Sequence, residues 1–223
     1  MLFFNMDFTT KIESVITDPL TTLDDLRQHT SLAIANNFAA VSVPPMFVKA
    51  AKGQLINTLV KTATMVGFPY GYSAIESKLA EILLAMVDDV DELEMMANIT
   101  AIKNNDWQYI AKEISSIIQV TKARNKPLKI CIEAGLLTNG EIKKCCDIYG
   151  IAEVDVLITS SGFSEHAIAK NIGFIRSCLA DAIPVQAHCD GTYKQAKMFL
   201  EEGANRIISK NVAILLHDYA SLN

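Results

Sequence analysis

At 223 residues, half of them hydrophobic, the chain is long enough to bury one sizeable core. Its net charge is −5 and its 20 Lys and Arg are scattered without a block of like charge, so neither nucleic acid nor a membrane surface is an expected partner. Five cysteines without a C-x-x-C pair argue for a reducing, cytoplasmic setting, and the opening MLFFNMDFTTK lacks the basic flank and long apolar stretch of a signal peptide.

Eight short apolar runs have strand length and follow one another along the chain. They lie at Ile12–Ile16, Ala40–Val43, Lys61–Val66, Leu93–Asn98, Leu128–Glu133, Val154–Thr159, Val185–Cys189 and Arg206–Ser209. Amphipathic stretches separate them, and five helix starts carry an N-cap residue three positions before an acid or amide: Thr22 with Asp25, Ser73 with Glu76, Asn105 with Gln108, Thr138 with Glu141 and Thr192 with Gln195. Gly150 and Gly203 stand where two helices are expected to stop. The alternation is that of βαβ units around a parallel sheet. An open doubly wound sheet accounts for it equally well, but such a sheet commonly carries a Gly-rich turn after its first strand, and the turn here, TDPLTT from Thr17 to Thr22, has no glycine. No repeat or Pro/Gly linker divides the chain, so a single domain over 1–223 is expected.

Five segments then narrow the choice. VGFPYGYSAIESKLAE (Val66–Glu81) resembles the V-I-G-F-P-x-G…E-x-K segment of deoxyribose-phosphate aldolases, and DELEMMANITAIKNNDW (Asp91–Trp107) is similar to their E-I-D-M-V-I-N-I-G-A-L-K-S-G-D-W. LKICIEAGLLTNGEI (Leu128–Ile142), VDVLITSSGFS (Val154–Ser164) and AKMFLEEGANRIISK (Ala196–Lys210) resemble three further stretches of that family in the same order. The resemblance implies an α/β fold, a single (β/α)8 TIM barrel, whose reacting groups project from the C-terminal ends of the strands.

It also implies covalent catalysis by a lysine amine, activated by a second lysine, attacking a carbonyl to form a Schiff base. At the positions of those two lysines this sequence has Ile158 and Gln186, neither of which can form an imine. The family's neighbouring aspartate is matched by Glu94, a carboxylate that could still move protons, with Lys129 on the next strand as its expected partner. The family's phosphate grip, glycine amides after the seventh strand and small residues after the eighth, becomes Ala187-His188-Cys189-Asp190-Gly191 and Ile208-Ser209-Lys210, which places a carboxylate where an anion belongs. Ser160, Ser161 and Gly162 match the family pattern, and Lys210 offers a point charge.

The expected function is a barrel of this family that has lost Schiff-base aldolase chemistry and binds or converts a small molecule at its C-terminal mouth. Asn98, Glu133, Ser160, Gly162, His188, Asp190, Ser209 and Lys210 are the expected ligand-binding residues, and Glu94 and Lys129 the candidate catalytic pair. The alternative is an active carbon–carbon lyase using a displaced lysine, Lys129 or Lys210. A lysine amine in the mouth favours the lyase, a polar pocket without one favours a repurposed site, and a collapsed apolar mouth favours a structural role. His188, Cys189, Asp190, Glu133 and His166 invite a metal reading, but adjacent strand residues face opposite ways, so no metal and no cofactor is expected. A homodimer is compatible with the sequence without being specified by it.

Overall fold

A computed structural model describes residues 8–163 and 169–221; His166 lies outside them. Eight parallel strands close into a barrel in sequential order: β1 (Ile12–Val15), β2 (Ala40–Val43), β3 (Lys61–Val66), β4 (Glu92–Met96), β5 (Leu128–Cys131), β6 (Val156–Ile158), β7 (Val185–His188) and β8 (Arg206–Ser209). Each overlaps its expected run, and where bounds differ the observed strand is generally shorter at its C-terminal end. There the chain leaves the sheet to build the mouth, as at Glu133, whose φ of 48° turns it out of β5.

The helices are α1 (Leu23–Ala35), α2 (Val48–Gln54), α3 (Ile75–Val87), α4 (Ile99–Lys103), α5 (Trp107–Ala123), α6 (Asn139–Ile151), α7 (Ala169–Cys178), α8 (Tyr193–Glu201) and α9 (Val212–Ser221). Thr22 and Thr138 close reciprocal capping boxes with Asp25 and Glu141, and Thr192 accepts from the backbone N–H of Gln195. Two expected starts move. The N-cap of α3 is Ala74, one residue beyond Ser73, with no side-chain cap, and that of α5 is Asp106, which accepts from the N–H of Tyr109. Asn105 instead ends α4, taking a left-handed φ of 57°.

This is a general device here. Asn37, Asp89, Asn105, Asn125 and Glu153 follow the C-caps of α1, α3, α4, α5 and α6 with φ between 51° and 61°, doing what glycine more often does. Gly150 therefore stops nothing, because α6 runs through it to Ile151, whereas Gly203 follows α8 at φ 108° as expected.

The main core lies between barrel and helices. Outward strand residues such as Val41, Leu93, Ile130, Leu157, Val185 and Ile207, all fully buried, meet the apolar faces of the helices. A buried Lys78–Glu113 pair joins α3 to α5 at 2.7 Å, and the Lys78 ammonium also donates to the Met96 carbonyl. Among the described residues no helix is long and apolar enough to cross a membrane.

Candidate functional site at the barrel mouth

Inward-facing strand residues recur with period two, so the barrel interior is built in steps along the strands. One step carries charge. Lys129 on β5 lies at its centre, with Nζ 2.7 Å from Glu13, 2.6 Å from Glu92 and 2.9 Å from Glu94, its register partner on β4. Arg206 on β8 closes the other side, 2.9 Å from Glu13 and 2.8 Å from Glu92. Gln186 Nε2 donates to Glu13 and the Ser42 hydroxyl donates to Glu94.

Three carboxylates thus face two cations, and one proton restores neutrality. Glu94 is the group that holds it: burial and then the negative charge of Glu13 push its carboxyl up to about 8. Burial opposes ionisation of Glu13 too, but the Lys129 ammonium, a hydrogen bond from Glu94 and Arg206 together hold that carboxyl well below the usual carboxylate range. Burial would likewise lower Lys129, yet Glu13, Glu94 and Glu92 outweigh it and drive the amine well above its ordinary value. The surrounding carboxylates therefore hold Lys129 in the ammonium form, at 1% exposure.

Two residues further along the same strands, the lining changes character. Glu13 gives way to Val15, Glu94 to Met96, Lys129 to Cys131 and Arg206 to Ile208; with Met65 and Ile158 these form one apolar layer, every member at most 5% exposed. The space left in this layer is about 10 Å³, scarcely room for one water. Ile158 is part of the plug, and its register neighbour on β7 is Gln186, so the two positions at which the resemblance placed lysines are adjacent, buried and without an amine. Burial pushes the Cys131 thiol well up, leaving it no thiolate character.

Above the plug, polar groups hold one another. Glu133 Oε1 accepts from the Ser161 backbone N–H at 2.7 Å and Oε2 from the Ser160 hydroxyl at 3.3 Å, which ties the β5 and β6 loops together. Gly162, at φ 74°, lies against the His188 ring so closely that a Cβ there would come within 2.2 Å of it. His188 Nε2 stands 2.8 Å from Asp190 Oδ2. Asp190 Oδ1 accepts from the Lys210 backbone N–H at 2.7 Å and the Ser209 hydroxyl at 3.3 Å, while the Lys210 ammonium lies 3.3 Å from Oδ2 and donates to the Gly162 carbonyl. Cys189 faces the other way, into the core between barrel and helices.

Asn98 sits apart from this cluster: its side chain caps α4 through the Ala101 N–H and borders a shallow depression with Tyr72 and Tyr109. The larger opening is a rim cavity of about 620 Å³ between the β1–α1 loop and the β8–α9 loop, lined by Thr17, Asp18, Asp25, His29, Lys210 and Asn211 among others. Glu13, Glu92, Arg206 and, of the plug, Val15, Met65, Met96 and Cys131 were not anticipated as site residues. For the charged residues the available signal was a charge inside a short strand whose ends are apolar, as in Ile12-Glu13-Ser14-Val15.

No family model matches the chain. It is 33% identical over 207 residues to the deoxyribose-phosphate aldolase of Lactiplantibacillus plantarum, covering 92% of this chain and 96% of that protein. It is 36% identical over 194 residues to the one from Thermococcus kodakarensis, covering 85% and 86%. Among solved structures, the tetrameric deoxyribose phosphate aldolase of Aeropyrum pernix superposes with a TM-score of 0.89 at 20% identity, over 97% of this chain and 92% of that one, which is a likeness of fold.

Proposed function

Because the chain belongs to the deoxyribose-phosphate aldolase family, we propose that it is a member without Schiff-base chemistry, whose ligand site is the polar rim of the barrel and not its axis. A Schiff-base nucleophile needs an amine that is neutral part of the time and open to a carbonyl. The observation that carries the reading is the state of Lys129: it is ringed by three carboxylates, pushed further toward the ammonium form and roofed by the Val15–Met65–Met96–Cys131–Ile158–Ile208 layer. The mouth above the plug is polar and not a collapsed apolar one, and the Lys210 amine it holds is engaged by Asp190 and the Gly162 carbonyl, so the rim cavity of about 620 Å³ supports a binding role for a small molecule.

Borohydride added with deoxyribose 5-phosphate or acetaldehyde tests the chemistry: no stoichiometric adduct is expected by mass spectrometry. An adduct on Lys129 or Lys210 would overturn the reading in favour of a lyase with a displaced lysine. The binding half is tested by melting-temperature shifts with non-phosphorylated polyols and amines, since a specific binder stabilises by mass action.

A further inference from the structure

Two hydrogen-bond donors and two further polar groups gather around a single carboxylate at the mouth. His188 Nε2, the Ser209 hydroxyl, the Lys210 backbone N–H and the Lys210 ammonium all lie within 3.3 Å of the two oxygens of Asp190. They come from β7, from the neighbouring β8 and from Lys210 directly after it, so the barrel itself fixes their spacing. The imidazole is fully buried and packed against Gly162, which holds the ring beside the carboxylate, with Nε2 2.8 Å from Oδ2. A backbone amide and a hydroxyl donating to one oxygen, with an ammonium and an imidazole close beside the other, constitute an oxyanion receptor.

We infer that Asp190 is the specificity-determining residue of the rim: its tethered carboxylate occupies an oxyanion receptor of the chain's own making, so phosphorylated ligands are excluded and non-phosphorylated ones admitted. The carboxylate competes from within, at a local concentration no free anion in solution matches. It remains ionised while it does so. Burial alone would raise its pKa, but His188, the Lys210 amide and the Lys210 ammonium hold it well below the usual carboxylate range, so acidification through the neutral range does not vacate the receptor. Lys210 also borders the rim cavity, so a ligand there meets an ammonium already neutralised by Asp190 beside the carboxylates of Asp18 and Asp25. The inference deepens the ligand half of the proposed function but does not depend on the lysine argument: a trapped imine would leave it standing, and phosphate binding would leave the absence of an imine standing.

The test uses inorganic phosphate as the probe, by calorimetry on the full chain at constant ionic strength. The unaltered protein is expected to bind it more weakly than about 1 mM, whereas Asp190→Ala and Asp190→Gly, which vacate the receptor and leave its donors in place, should bind at least about tenfold more tightly. The gain should vanish in Asp190→Ala/Lys210→Ala. Should either variant prove unstable, phosphate ought to raise its melting temperature while leaving that of the unaltered protein unchanged. Sub-millimolar phosphate binding by the unaltered protein overturns the inference, and so do folded Asp190 variants that show neither gained affinity nor a phosphate-dependent melting temperature.

Discussion

Replacing Glu94 by glutamine tests the charge balance inside the barrel directly. Glutamine imitates the protonated carboxyl: its oxygen can accept from Lys129, and its amide can donate toward Ser42 or Glu13. In the folded protein the Glu94 carboxyl is raised to about 8 from an ordinary value of 4.5. Between those values the folded state holds a proton that the unfolded chain has released, so stability falls as pH rises, by about 1.4 kcal/mol per pH unit, and levels off above the folded value. The contribution is fully present below about pH 4.5 and lost through about pH 8, on the order of 5 kcal/mol across the window. Urea unfolding of both proteins at several pH values from 5.5 to 9 removes from the difference titrations remote from the cluster, such as that of His29, and Glu13, held well below the usual carboxylate range, stays ionised throughout. At pH 5.5 the two should differ least, and the advantage of Glu94→Gln should grow with that slope to a plateau near pH 8.5. A difference independent of pH would refute the assignment of the proton to Glu94.

Ile158→Lys returns an amine to the family position, yet it should not restore cleavage of deoxyribose 5-phosphate, because the amine enters the apolar plug beside Gln186, with Asp190 filling the anion receptor. It should also cost roughly 2 kcal/mol or more in urea unfolding, and turnover comparable to that of the Lactiplantibacillus plantarum relative would contradict it. Gly162→Ala forces a left-handed alanine and a Cβ into the His188 ring, so a loss of at least about 2 kcal/mol is expected; a loss under about 0.5 kcal/mol would mean that the imidazole moves freely and does not set the Asp190 geometry.

The sequence by itself determined the local features. Strand positions, the capping boxes at Thr22 and Thr138 and the cap at Thr192 depend on residues within a few positions of one another, and alternation with period two is written into each strand. The absence of lysine at positions 158 and 186 is likewise a fact of the sequence, to which the barrel adds only that the two are neighbours. Even local chemistry misled where two readings compete: Asn105 is a good N-cap and also a good left-handed helix terminator, and in the fold it takes the second role while Asp106 beside it caps α5. What the tertiary structure decided are the meetings across the barrel. Glu13, Glu92, Glu94, Lys129 and Arg206 come from four strands, and nothing near any one of them in the chain reveals the others. The plug has the same origin: Val15, Met65, Met96, Cys131, Ile158 and Ile208 read singly as ordinary core residues, and become a closed roof only when barrel curvature brings six inward positions to one level. Asp190 was legible as a misplaced charge but not as a ligand for its own chain, because a carboxylate's role is fixed by the groups that surround it, and those are supplied by the end of β8 and the residue after it.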